Sequence, residues 1–192
     1  VVCCEKILEK DYKHEGILWK WFVAQLNSGI LIWEDAVGLL QSLPELDKNQ
    51  TANFLLYVLY FCKFIETNHR TYAVESSKCM SVCRTLAKNN SKSTSSKLFY
   101  AANNSLQLVE NRNDMFIFDG TINREIKSTQ SGYVALDIHP GFEAFFVPAH
   151  TELKKEQSFN CKVKFFLGFS YDGLRAFDVI KSSHKEPATL LR

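Results

Sequence analysis

The period of the chain changes at Asn111-Arg112-Asn113-Asp114. Before it, apolar residues return at every third or fourth position, the spacing of an amphipathic helix. After it they alternate with polar residues, turns are frequent, and ten of the fifteen phenylalanines are found there, as expected for strands that fill a core. One uniform layer cannot accommodate both periods. The expectation is an α+β chain, with an all-α helical half at 1–110 and a β-domain at 111–192.

Within the first part, Gly16 to Asn27 carries Ile17, Trp21, Ala24 and Gln25 near one stripe, with Leu18 and Phe22 beside it, and Asn27-Ser28-Gly29 reads as its stop. Ile32 to Leu43 has Trp33, Ala36, Val37 and Leu40 at helical spacing, and Pro44 ends it. Asp47 reads as the N-cap of a helix over 48–68. That helix is apolar nearly all round, so it must pack on several sides. A further helix is expected over 71–88, a polar linker over 89–96, and a closing helix over 97–110 through Leu98, Ala101, Ala102, Leu106 and Val109. No clean internal repeat is present.

The second part reads as five strands: Met115–Asn123, Gly132–Ile138, Phe142–Ala149, Cys161–Ser170 and Leu174–Ile180. His139-Pro140-Gly141 and Tyr171-Asp172-Gly173 read as turns. Five strands in so short a stretch must close or be covered, because open edges aggregate. Gly120 lies in the first strand, where a bent barrel strand needs room. A five-stranded OB-type barrel is the best fit, with an SH3-like barrel as the alternative.

Composition excludes several functions. The charge is balanced, 12 basic and 11 acidic residues over 1–110 and 11 and 10 over 111–192, so polyanion binding would have to come from local clustering. The longest apolar run, Phe54 to Phe64, contains Lys63 and is far shorter than the ~20 residues of a membrane span. There is no phosphate-cradling GxxxxGK[ST] or GxGxxG and no GxSxG. Cys79 and Cys83 share a helix face near His69, but the spacing lacks the short Cys pair of a zinc site and suits two small core residues. Glu34-Asp35 reads as a helix start, where carboxylates offset the dipole. The expectations are no enzyme, no metal and no cofactor.

One constellation carries a mechanism. OB-folds hold oligonucleotides across strands two and three, with bases stacked on aromatic rings and cations along the phosphates. Alternation turns Tyr133 and Phe146 outward, the first loop carries Arg124 and Lys127, the last hairpin carries Tyr171 and Arg175, and Lys162, Lys164 and Phe166 share the outer face of strand four. The competing reading is that these aromatics are core and that the lysines line a half-exposed strand.

Phe145-Phe146-Val147-Pro148-Ala149, then Val163-Lys164-Phe165-Phe166-Leu167-Gly168-Phe169-Ser170 and Asp172-Gly173-Leu174-Arg175-Ala176-Phe177-Asp178, resemble the C-terminal end of the sterile alpha motif domain-containing 9 and 9-like proteins. In that family a TPR-like helical region precedes a terminal OB-fold. The resemblance implies the C-terminal piece of a large cytoplasmic antiviral and antiproliferative effector. Its effector and nucleotide-binding domains would lie upstream, and no functional residue is carried over from it. An opening of Val1-Val2-Cys3-Cys4 without Met agrees with a piece of something longer. The expected function is a regulatory, protein-interaction tail that docks on upstream domains of the same chain or on another protein. The alternative is an OB-fold that binds RNA or single-stranded DNA and presents it to an upstream effector.

Overall fold

The computed structural model describes residues 2–11, 14–27, 31–90, 100–102, 105–107, 117–124, 131–148, 151, 153 and 158–182. It is a mixed α+β chain that divides into two units, Val1–Met115 with Phe169–Gly173, and Phe116–Gly168 with Leu174–Arg192.

The first unit is built on helices α1 (Val2–Lys10), α2 (Glu15–Asn27), α3 (Trp33–Ser42), α4 (Gln50–Thr67) and α5 (Arg70–Asn90), with a 3-10 turn at Leu46–Lys48. Helix α4 is its centre: every residue from Gln50 to Phe61 is buried, as an all-round apolar helix requires. Its cap is Asn49 rather than the expected Asp47, which lies inside the 3-10 turn. The Ala52 N–H donates to the Asn49 side chain at 2.9 Å, and Asn53 Nδ2 donates to the carbonyls of Leu46 (2.6 Å) and Asn49 (2.9 Å), tying the turn to the first helical turn. Helices α4 and α5 are antiparallel. Ser76 Oγ donates to the Tyr57 carbonyl at 2.9 Å, and Cys83 Sγ reaches the Gln50 carbonyl at 3.8 Å, so moving forward along α5 moves backward along α4.

In place of a closing helix the chain forms a small antiparallel pair, β1 (Tyr100–Ala102) and β2 (Ser105–Gln107), with Ala102 opposite Ser105. Tyr100–Ala102 and Ser105–Gln107 are thus extended where the spacing of Leu98, Ala101, Ala102, Leu106 and Val109 suggested a helix, and the rest of 97–110 lies outside the described residues.

The second unit is a five-stranded sheet that closes on itself: β3 (Ile117–Thr121), β4 (Gly132–Leu136), β5 (His139–Phe146), β6 (Lys162–Ser170) and β7 (Gly173–Lys181), in the order β3-β4-β5-β7-β6 and back to β3. The β3–β4, β3–β6 and β4–β5 ladders are antiparallel, while β5 and β7 run parallel where Phe145 pairs with Arg175. Phe118, Ile122, Val134, Leu136, Phe142, Ala144, Phe146, Val163, Phe165 and Leu167 fill the interior. Gly120 pairs with both Leu136 and Val163; a Cβ there would come within 3 Å of the Val134 side chain, the Ala135 carbonyl and the Phe165 ring. A glycine is therefore what lets the first strand serve two neighbours.

The turn between β4 and β5 falls at Asp137-Ile138, two residues before the expected His139-Pro140-Gly141, and His139 already pairs with Leu136. Ile138, expected as the last residue of the strand Gly132–Ile138, consequently falls in the turn and is 42% exposed. The ladder shifts register between Ala135 and Leu136, so Pro140 occupies a bulge in which no ladder N–H is needed.

Candidate functional site

The side-chain period of β5 decides the site. Phe142, Ala144 and Phe146 point into the ring, so Glu143 and Phe145 point outward. Phe146, expected on the outer face, is instead buried, and its ring covers Gly132, where any Cβ would clash. Its neighbour Phe145 takes the outer position. The signal was present in the sequence, because a charged Glu143 must face solvent and Phe145, two residues on, shares its face.

On that outer face Tyr133 and Phe145 are cross-strand partners, with ring centres 5.6 Å apart at 76°. Both ends of the pair are capped by guanidinium groups. Arg175, beside Phe145 on β7, lies 4.5 Å from the Phe145 ring centre, and Arg124, just after β3, lies 5.1 Å from that of Tyr133. The result is a cation, two rings and a second cation in series across three strands, with Tyr133 36% exposed. Each cation–π contact at such a half-exposed position contributes about 0.5–1 kcal/mol.

Arg124 is also fixed from the side. Its Nε donates to Glu143 Oε1 at 3.1 Å and its Nη2 to Glu143 Oε2, while Asn123 Nδ2 donates to Glu143 Oε1 at 2.9 Å. Neither Asn123 nor Glu143 was singled out in the sequence.

The other expected site residues lie elsewhere. Lys162, Lys164 and Phe166 do share the outer face of β6, but they face β3, and both lysines meet carboxylates. Lys162 Nζ is 2.8 Å from Asp137 Oδ2, whose other oxygen accepts from Thr121 Oγ1, and Lys164 Nζ is 3.7 Å from Asp119 Oδ1. Phe166 is half-buried opposite Ile117. Tyr171 belongs to the helical unit, where its ring lies 4.9 Å from that of Phe54. Lys127 falls outside the described residues.

The arrangement can stack planar groups and hold anions, and it offers no nucleophile or paired acid and base. Among the described residues no group of three or more His, Cys, Asp or Glu could hold a metal ion, and no helix is long and apolar enough to cross a membrane. No protein-family model and no curated protein matches the chain.

Proposed function

We propose that this chain is a non-catalytic binding module whose strand ring holds single-stranded nucleic acid on the outer face of β4, β5 and β7. The observation that carries the reading is the series Arg124, Tyr133, Phe145, Arg175. Bases stack on aromatic rings or on guanidinium planes whatever their identity, and the same guanidinium groups hold the phosphates between them. An OB-type ring is supported by the strand order and by the parallel pairing of the third ring strand with the fifth, and in such folds oligonucleotides lie across the second and third strands. The antiparallel α4–α5 pair supports a TPR-like reading of the helices. Together with the resemblance in the ring, these features support a C-terminal regulatory piece of an effector of the sterile alpha motif domain-containing 9 and 9-like kind.

Fluorescence anisotropy with labelled single-stranded RNA, double-stranded RNA and tRNA tests the reading. Single-stranded RNA is expected to bind saturably at low salt, and Tyr133→Ala to weaken it about tenfold, the worth of one stacked base. No binding at low salt, where screening is weakest, rules the reading out.

Docking onto a protein is the second reading, favoured by the carboxylates that neutralise Lys162 and Lys164. Tyr and Arg also dominate protein hot spots. Salt separates the two, because apolar docking is nearly indifferent to it while phosphate binding falls steeply.

A further inference from the structure

Arg124 uses only one of its two hydrogen-bonding edges on Glu143. The carboxylate takes Nε and Nη2 side-on, which leaves the Nη1 end of the guanidinium directed away from it. Glu143 is the less exposed member of the pair, its side chain 24% exposed against 60% for Arg124, and Asn123 holds it from a third direction. A half-buried carboxylate fixed by an amide thus holds an exposed guanidinium against the Tyr133 ring.

We propose that Glu143, held by Asn123, is a positioning residue that presents the outer edge of Arg124 to a phosphodiester of the bound strand. The proposal rests on the nucleic-acid reading above and names the anchor within it. Arginine suits the role because its planar fork bonds a carboxylate on one edge and a phosphate on another, which a lysine ammonium cannot reproduce. Fixing the long side chain before binding removes ordering entropy that would otherwise oppose the complex.

Electrostatics alone gives the opposite expectation for Glu143. Removing a negative charge from a face that binds a polyanion should tighten binding and steepen its salt dependence. Positioning predicts weaker binding. A labelled oligouridylate of about 12 nucleotides, long enough for one ring of this kind, is the probe. It is titrated by anisotropy against the whole chain and its Glu143→Ala, Glu143→Gln, Arg124→Lys and Arg124→Ala variants, with thermal melts to establish that each variant folds.

Glu143→Ala is expected to weaken binding about tenfold, the low end for one hydrogen bond to a charged group, with Glu143→Gln intermediate because one acceptor survives. Arg124→Lys, which keeps the charge, is expected to weaken binding as well. On an Arg124→Ala background, Glu143→Ala is expected to change nothing further, an outcome that a merely structural role for Glu143 does not give. Unchanged or tighter binding by folded Glu143→Ala, with the wild type binding, overturns the positioning role and leaves the nucleic-acid reading standing. Absence of binding by wild type and every variant at low salt overturns both.

Discussion

Among the described residues, Tyr57 has the buried side-chain polar atom whose hydrogen bonding is least well met. Its ring packs 5.6 Å from that of Phe54 and 5.5 Å from that of Phe169, and its hydroxyl is buried beside the Ser170 backbone without a well-formed hydrogen bond to any described residue. A buried hydroxyl without a partner costs about 1–3 kcal/mol. Tyr57→Phe, which keeps the ring, is therefore expected to raise the midpoint of thermal unfolding, and a lower midpoint would show that the hydroxyl is satisfied. Burial also pushes the Tyr57 and Tyr60 hydroxyls up, the Cys62 thiol up to about 12 and the Cys79 thiol up to about 11, where Glu75 adds to the effect. These groups bind their protons more tightly in the folded chain than in the unfolded one. The contribution of the thiols to stability is thus fully present below their ordinary value of 9.0 and is lost as pH rises from there towards 12. Urea titrations across that range are expected to show a falling unfolding free energy, with a shallower fall for Cys62→Ala; a flat profile would contradict the buried thiols.

Two elements show how local chemistry sets larger geometry. The start of α4 depends on one side chain, and losing such a cap costs about 1 kcal/mol, so Asn49→Ala is expected to lower the unfolding free energy by that amount. Strand β3 depends on a missing side chain. Gly120→Val would force atoms against Val134, the Ala135 carbonyl and Phe165, and is expected to cost about 1–3 kcal/mol as overpacking, or to prevent closure of the ring outright. Circular dichroism with thermal melts checks both. The 2-residue period made the five strands legible, and burial alternates with it along β3 and along β6 as far as Leu167, beyond which Phe169 belongs to the helical unit. Beta5 is where that reading failed. Phe145 and Phe146 are adjacent and chemically identical, and the bulge around Pro140 shifts the strand start, so the charged Glu143, two residues before Phe145, is the local mark of which ring faces outward.

Within the helical unit, residues far apart in sequence complete one aromatic core. Phe169 lies 5.4 Å from Phe61 and 5.5 Å from Tyr57, and Arg84 Nε donates to the Asp172 carbonyl at 2.5 Å beside Gly173, whose φ of 116° suits glycine. Truncating a buried phenylalanine costs about 3–5 kcal/mol, so Phe169→Ala is expected to lower the unfolding midpoint sharply although it sits at the end of a strand. A small shift would mean that Phe169–Gly173 adds little to the helical core. By itself the sequence determined the helical and strand regions, the all-round burial of α4, the closure of the strands and the outward Tyr133, because periodicity and turn chemistry act over a few residues. Only the tertiary structure decided that Arg124 and Arg175 cap Tyr133 and Phe145 while Lys162 and Lys164 are spent on Asp137 and Asp119. Which charge meets which partner depends on register and on the curvature of the ring, and these are set by contacts between strands rather than by the residues of any one strand.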